Sequence, residues 1–95
     1  MEENKYLLSL ATNGDADAQY ELSAKLFLIA SQGVEDNKNF QESALWFKKA
    51  VYQEQVDAMY MKEKFIKILS EQGGAETHGE LRWFVQDHPH LRKKK

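Results

Sequence analysis

The chain has 95 residues, of which 42% are hydrophobic and 29% charged, with 1 proline, 5 glycines and no cysteine. This composition predicts one small domain with its own core, and the lack of cysteine excludes disulfides, thiol catalysis and cysteine-bound zinc. The net charge of −2 is unevenly placed, because residues 92–95 are all basic and only 9 basic side chains remain to set against 15 acidic ones. An acidic body disfavours nucleic acid as a partner.

Apolar residues at helical spacing predict an all-α protein with about five helices and no strand. Gly14, Gly33 and the pair Gly73-Gly74 supply the breaks between helices. Asp15 is expected to cap the second helix, while capping-box spacings place the starts of the third helix at residue 39 and of the fifth at residue 77. The expected helices cover residues 4–13, 15–31, 39–53, 56–72 and 77–88.

An aromatic pattern recurs along the chain. Tyr6-Leu7 is followed 40 residues later by Trp46-Phe47 and then, after 37 more, by Trp83-Phe84. The same 40-residue shift carries Tyr20 onto Tyr60, and Asp17-Ala18 onto Asp57-Ala58. A period of this length is typical of stacked helical hairpins, in which each hairpin buries its apolar face against the next. Aromatic rings at this spacing are therefore expected in the core.

Three segments of the chain carry a resemblance to a known repeat. They are residues 14–22 (GDADAQYEL), Gly33-Val34, and residues 44–50 (ALWFKKA). In order and spacing they resemble the Sel-one-like repeat, a relative of the tetratricopeptide repeat, with a close match over residues 10–51 and a weaker one to residue 87. The resemblance implies a right-handed stack of antiparallel helical hairpins, a short α-solenoid. It also implies a role in binding other proteins.

The repeat divides the chain into parts. We expect a single domain over residues 1–90, followed by a basic tail at 91–95. Within this domain, the helix at 4–13 corresponds to the second helix of a repeat unit and caps one end. A first unit spans 14–53, and a degenerate second unit spans 54–88. Lys62 and Glu63 of the second unit replace Leu22 and Ser23 of the first, so the last unit is expected to turn a polar side to water.

The predicted function is non-enzymatic: an adaptor, or a small inhibitor of a partner protein. The resemblance places the partner-binding surface on the first helix of each unit. The side chains there that the predicted core does not use are Gln19, Ser23, Met59, Lys62 and Glu63. An acidic body favours a partner with a basic surface.

Two other functions stay open. The tail at 92–95 could bind nucleic acid or a membrane surface, and a small hydrolase is a remote alternative because no catalytic or phosphate-binding motif occurs. His88-Pro89-His90 is the one tract that resembles a metal site, but two close histidines rarely suffice, so neither a metal nor a cofactor is predicted. With no signal-like or membrane-spanning segment, we expect a cytoplasmic location.

Overall fold

The computed structural model describes the backbone of residues 2–85 and the side chains of residues 5–84. Within these residues the chain forms five α-helices and a short 3₁₀ helix, with no strand, so the all-α prediction is confirmed. The helices are α1 (Glu2–Thr12), α2 (Ala16–Ser31), α3 (Asp36–Tyr52), α4 (Val56–Gln72) and α5 (Ala75–Leu81), and the 3₁₀ helix is Arg82–Val85. The basic tail and the histidine tract lie outside the described residues.

The 40-residue repeat is visible in the backbone of two junctions. Gly14, between α1 and α2, has φ of 100°, and Glu54, between α3 and α4, has φ of 59°. In both turns this residue donates its amide to the carbonyl three residues earlier, at 3.1 and 2.8 Å. The next amide reaches the carbonyl five residues earlier, at 3.1 and 3.0 Å. Glu54 therefore makes the left-handed turn that glycine makes more easily at the first junction.

The residue after each turn caps the next helix. The Asp15 carboxylate accepts a hydrogen bond from the amide of Ala18 at 2.9 Å, as predicted. Forty residues on, the side-chain oxygen of Gln55 accepts from the amide of Ala58 at 2.7 Å. Gln55 therefore caps α4 in the same way that Asp15 caps α2.

Helices α2 and α3 form an antiparallel hairpin. The Ser43 hydroxyl donates to the Ser23 carbonyl at 2.8 Å near the middle of both helices, and the Gln53 amide donates to Gln19 at 3.0 Å near the other end. The hairpin is closed by the turn at Gly33, whose φ is 87°. The predicted pairing of these two helices is confirmed.

Helix α4 runs alongside α2 in the same direction. The Gln55 amide donates to the Asp17 carboxylate at 3.0 Å where both helices begin. Further along, the ring centroids of Phe65 and Phe27 lie 4.9 Å apart. Helix α5 packs on α3, where the Lys48 ammonium meets the Glu80 carboxylate at 2.8 Å.

The core consists of two clusters. The smaller one joins α1 to α2 through Leu7, Ala11, Ala18 and Leu22. The larger one lies between α2, α3, α4 and α5, and its side chains are mostly aromatic or small. Its buried members are Ala30, Phe40, Ala44, Phe47, Ala50, Val51, Ala58, Phe65, Leu69 and Leu81. Small residues let the helix axes approach while the rings fill the space beside them.

Two predicted helix starts are wrong. Helix α3 begins at Asp36, not at residue 39, because Glu35 already turns the chain with φ of 41° and Asn39 bonds back to the Val34 carbonyl at 2.8 Å. Helix α5 begins at Ala75 rather than at Thr77. The expected capping pair does not form there.

Candidate functional site

Two of the five predicted partner-binding residues lie in the core, which corrects the expectation that the core leaves them free. Gln19 is 4% exposed and its amide donates to the Ala11 carbonyl at 3.1 Å. Ser23 is fully buried, and its hydroxyl donates to the Tyr20 carbonyl at 2.7 Å. The physical reason is that α1, α3 and α4 all pack on α2, so little of that helix stays exposed.

The other three predicted residues lie on α4 and differ in exposure. Met59 is half-buried and packs against the larger core cluster, so its expected exposure is also wrong. Lys62 is half-buried, and Glu63 is exposed. The five residues therefore do not form one accessible surface, and Glu63 alone among them is exposed.

The most exposed apolar side chains of α4 are those of Val56 and Tyr60. Val56 is 78% exposed and Tyr60 is 86% exposed, and they lie one helical turn apart. Exposed charged residues continue the same face toward the end of the helix. We call the set the outer face of α4, which consists of Val56, Tyr60, Glu63, Lys64 and Lys67.

The repeat explains where the outer face of α4 points. A shift of 40 residues carries Tyr60 back to Tyr20 and Lys67 back to Phe27. The rings of Tyr20 and Phe27 on α2 face α4, with centroids 6.4 and 4.9 Å from that of Phe65. By the 40-residue shift, the outer face of α4 corresponds to the face of α2 that packs on α4, and no described residue covers Tyr60.

A second surface, which the sequence reasoning missed, lies beside the end of α3. It is an open groove of about 560 Å³. Its lining residues are Gly14, Gln19, Lys48, Lys49, Tyr52, Gln53 and Trp83. The Lys48 ammonium is held by Glu80, and the rings of Tyr52 and Trp83 meet with centroids 6.1 Å apart. The recurrence of the aromatic pair at Trp83 was the only signal that could have placed a ring there.

Charged groups of α4 interact with each other and with α2. The Lys67 ammonium lies 2.8 Å from the Glu71 carboxylate, and this hydrogen bond raises the pKa of Lys67. Burial raises the pKa of Tyr20, and the nearby Asp57 carboxylate raises it further.

Within residues 2–85 no three His, Asp or Glu side chains lie close enough to hold a metal ion.

Comparison of the chain with protein-family models, curated proteins and solved structures gives no match. None of the helices in the described part is both long and apolar enough to cross a lipid bilayer. The functional argument therefore rests on the surfaces of the molecule itself.

Proposed function

We propose that the protein is a binding module that takes up another protein on the outer face of α4. The observation that carries this proposal is the exposure of Tyr60. Its counterpart Tyr20 packs against the Phe65 ring of α4, whereas Tyr60 exposes 86% of its surface. A tyrosine in this position supplies a large, rigid contact at low cost in side-chain entropy.

The neighbouring side chains suit a protein partner. Val56 extends the apolar contact by one turn, and Glu63 and Lys64 give the rim charges of both signs. An apolar centre with a charged rim is the usual arrangement of a protein interface, in which the rim sets orientation and rate of association. The partner is a protein whose docking helix lies where the first helix of a third unit would lie.

The resemblance to the Sel-one-like repeat supports the same role. Repeat arrays use extended helical surfaces for binding, and their terminal units differ from the inner ones. The replacement of Leu22 and Ser23 by Lys62 and Glu63 in the second unit follows this pattern. We propose that the chain belongs to that family and acts as an adaptor or as an inhibitor. Its partner carries a basic surface.

The test compares two double variants of the full chain. The first, Val56→Ser with Tyr60→Ser, removes the apolar centre of the outer face of α4. The control, Leu28→Ser with Val34→Ser, removes two apolar side chains that are also exposed, at 61% and 52%, but lie elsewhere. All four side chains are exposed, so neither variant is expected to unfold the protein.

A photo-crosslinking residue at position 60 identifies the bound protein in cells that produce the chain. Calorimetry with that protein, once purified, then measures the affinity of each variant. We expect V56S/Y60S to weaken binding about tenfold or more, because aromatic anchors dominate interface energies. Equal affinity of V56S/Y60S and wild type, or an equal loss in the control, would overturn the proposal.

A further inference from the structure

A third open surface of the molecule lies between α1 and α2. It is a cleft of about 280 Å³. Its lining residues are Tyr6, Leu7, Leu10, Glu21 and Lys25. We call it the α1–α2 cleft. Leu7 forms its buried apolar floor, Tyr6 is 70% exposed at its edge, and the half-buried residue Lys25 supplies a positive charge.

The repeat identifies what fits this cleft. A shift of 40 residues carries Leu7 onto Phe47 and Lys25 onto Phe65. In the second half of the molecule these two positions are covered by α2. The Tyr20 ring lies 6.5 Å from Phe47 and 6.4 Å from Phe65, and the Phe27 ring lies 4.9 Å from Phe65. Helix α2 thus fills the counterpart of the α1–α2 cleft, and no described helix fills the cleft itself.

Two charged residues replace apolar ones in the α1–α2 cleft: Lys25 for Phe65, and the exposed Glu21 for Met61. Lys25 defines the occupant, because it stands at the place that Phe27 contacts in the other site. In the second half of the molecule α2 contacts the Phe65 ring. At the corresponding position the α1–α2 cleft has the ammonium of Lys25. A ring at the place of Tyr20 still finds the apolar floor at Leu7. A residue at the place of Phe27 meets a positive charge instead of a ring. A carboxylate there would form an ion pair with Lys25.

We propose that the α1–α2 cleft binds an amphipathic helix of another protein, running in the same direction as α2. That helix carries an aromatic residue and, seven positions later, an aspartate or glutamate that pairs with Lys25. The spacing of seven is that of Tyr20 and Phe27, two turns apart on one face of a helix. This site and the outer face of α4 lie on opposite sides of the stack, so either can fail without the other.

A second copy of this chain is a poor occupant. Its α4 would offer Tyr60 at the place of Tyr20, but Lys67 at the place of Phe27. Lys67 would then face Lys25, and like charges across an interface oppose association. The charges on the two ends therefore favour a different protein over end-to-end stacking.

The probe for this proposal is built from α2 itself. It is a peptide of residues 16–31 in which Phe27 is replaced by glutamate, with a lactam joining its own Glu21 and Lys25 to hold the helix. A second peptide has lysine at position 27 in place of glutamate. Fluorescence anisotropy measures both against the full-length protein and against two variants of the protein, Lys25→Glu and Lys64→Glu.

We expect the glutamate peptide to bind wild type about fivefold more tightly than the lysine peptide, and Lys25→Glu to reverse that order. Lys64→Glu, on the outer face of α4, is expected to bind like wild type. Failure of the glutamate peptide to bind, or the same preference in K25E as in wild type, would overturn the proposal. So would a wild-type dimer in sedimentation that Lys25→Glu tightens, because Lys67 of a second copy would then face position 25 in the cleft.

The fold of each variant is checked by circular dichroism, and Lys25→Gln serves as a milder substitution. It removes the charge without reversing it, so the glutamate and lysine peptides are expected to bind K25Q equally. Amide chemical shifts of the wild type give an independent measurement. The glutamate peptide is expected to shift Leu7, Leu10 and Lys25, and shifts confined to α4 would contradict the proposed site.

Discussion

Phe65 of α4 stacks on Phe47 of α3, with ring centroids 4.4 Å apart and ring planes inclined by 22°. Phe47 is fully buried, and it also meets Tyr20 at 6.5 Å and Phe84 at 5.9 Å. Rings from α2, α4 and the 3₁₀ helix therefore converge on Phe47. The stacked rings of Phe47 and Phe65 join α3 to α4 and hold α4 in the position that exposes Tyr60.

We expect Phe47→Ala to lower the free energy of unfolding by about 3–5 kcal/mol, because it leaves a ring-sized cavity at this junction. Domains of this size are stable by about 0.05–0.15 kcal/mol per residue, so the variant should be unfolded or close to it. Urea denaturation followed by circular dichroism measures the change. Leu28→Ala, at a site that is 61% exposed, is the control and should change stability by less than about 0.5 kcal/mol.

The five helices and the α2–α3 hairpin could be predicted from the sequence, because the 40-residue repeat, the glycine breaks and the apolar stripes indicate them. Apolar residues at helical spacing along α4 predict its inner stripe; of these, Ala58, Phe65 and Leu69 are buried, and Met61 and Ile68 are half-buried. The exact starts of α3 and α5 could not be predicted. Capping-box spacings occur by chance, and tertiary contacts such as the Lys48–Glu80 ion pair decide whether a matching residue caps a helix.

Exposure on the first helices of the units was harder to predict. Gln19 and Ser23 are polar, and polar residues are usually exposed. Both are buried because each finds hydrogen-bond partners inside the structure, on the Ala11 and Tyr20 carbonyls respectively. The Gln19 partner lies on α1, and Ser23 is covered by α3, whose Ser43 hydroxyl donates to the Ser23 carbonyl. A single sequence does not specify this helix packing.

Glu35 offers a test of backbone strain at the start of α3. Its φ of 41° lies in the left-handed region, and its exposed side chain makes no capping hydrogen bond. Glu35→Gly should therefore raise the free energy of unfolding by about 0.5–1 kcal/mol, because glycine adopts this conformation without steric cost. Thermal melting measures the gain. Asp36→Gly, one residue later in the helix, should destabilise instead, and a loss of stability in both variants would contradict the assignment of strain to Glu35.

Tyr20 predicts a change of stability at alkaline pH. Burial, followed by the Asp57 carboxylate, raises the pKa of its phenol above the ordinary value of 10.0. The unfolded chain then loses this proton at a lower pH than the folded protein does. The contribution of Tyr20 is therefore complete below about pH 10 and is lost as the pH rises through the folded-state pKa.

Melting temperatures measured from about pH 9 to 11.5 should fall more steeply for wild type than for Tyr20→Phe, since only the wild type has this half-buried phenol to ionise. Tyr60→Phe, at a side chain that is 86% exposed, is the matched control and should follow wild type. If Tyr20→Phe loses stability over this range as steeply as wild type, Tyr20 is not a source of the alkaline sensitivity.

Thr77 is a buried threonine whose hydroxyl has no hydrogen-bond partner among the described residues. Its surroundings are tight, because a Cβ atom added at Gly73 would come within 2.5 Å of both Thr77 Cβ and Cγ2. Thr77→Val keeps the shape of the side chain and removes the unsatisfied hydroxyl. We expect it to raise the free energy of unfolding by about 1 kcal/mol, because an unpaired buried polar group costs more than the apolar group that replaces it.

The corresponding rise in melting temperature is about 4–8 °C for a domain of this size. Thr77→Ser keeps the hydroxyl and removes the methyl group, and it should destabilise by about 1 kcal/mol through lost burial. Opposite signs for the two variants would show that the packing of α5 against the end of α4 depends on the methyl group and not on the hydroxyl. A loss of stability in Thr77→Val would mean instead that the hydroxyl of Thr77 is hydrogen-bonded in the folded protein.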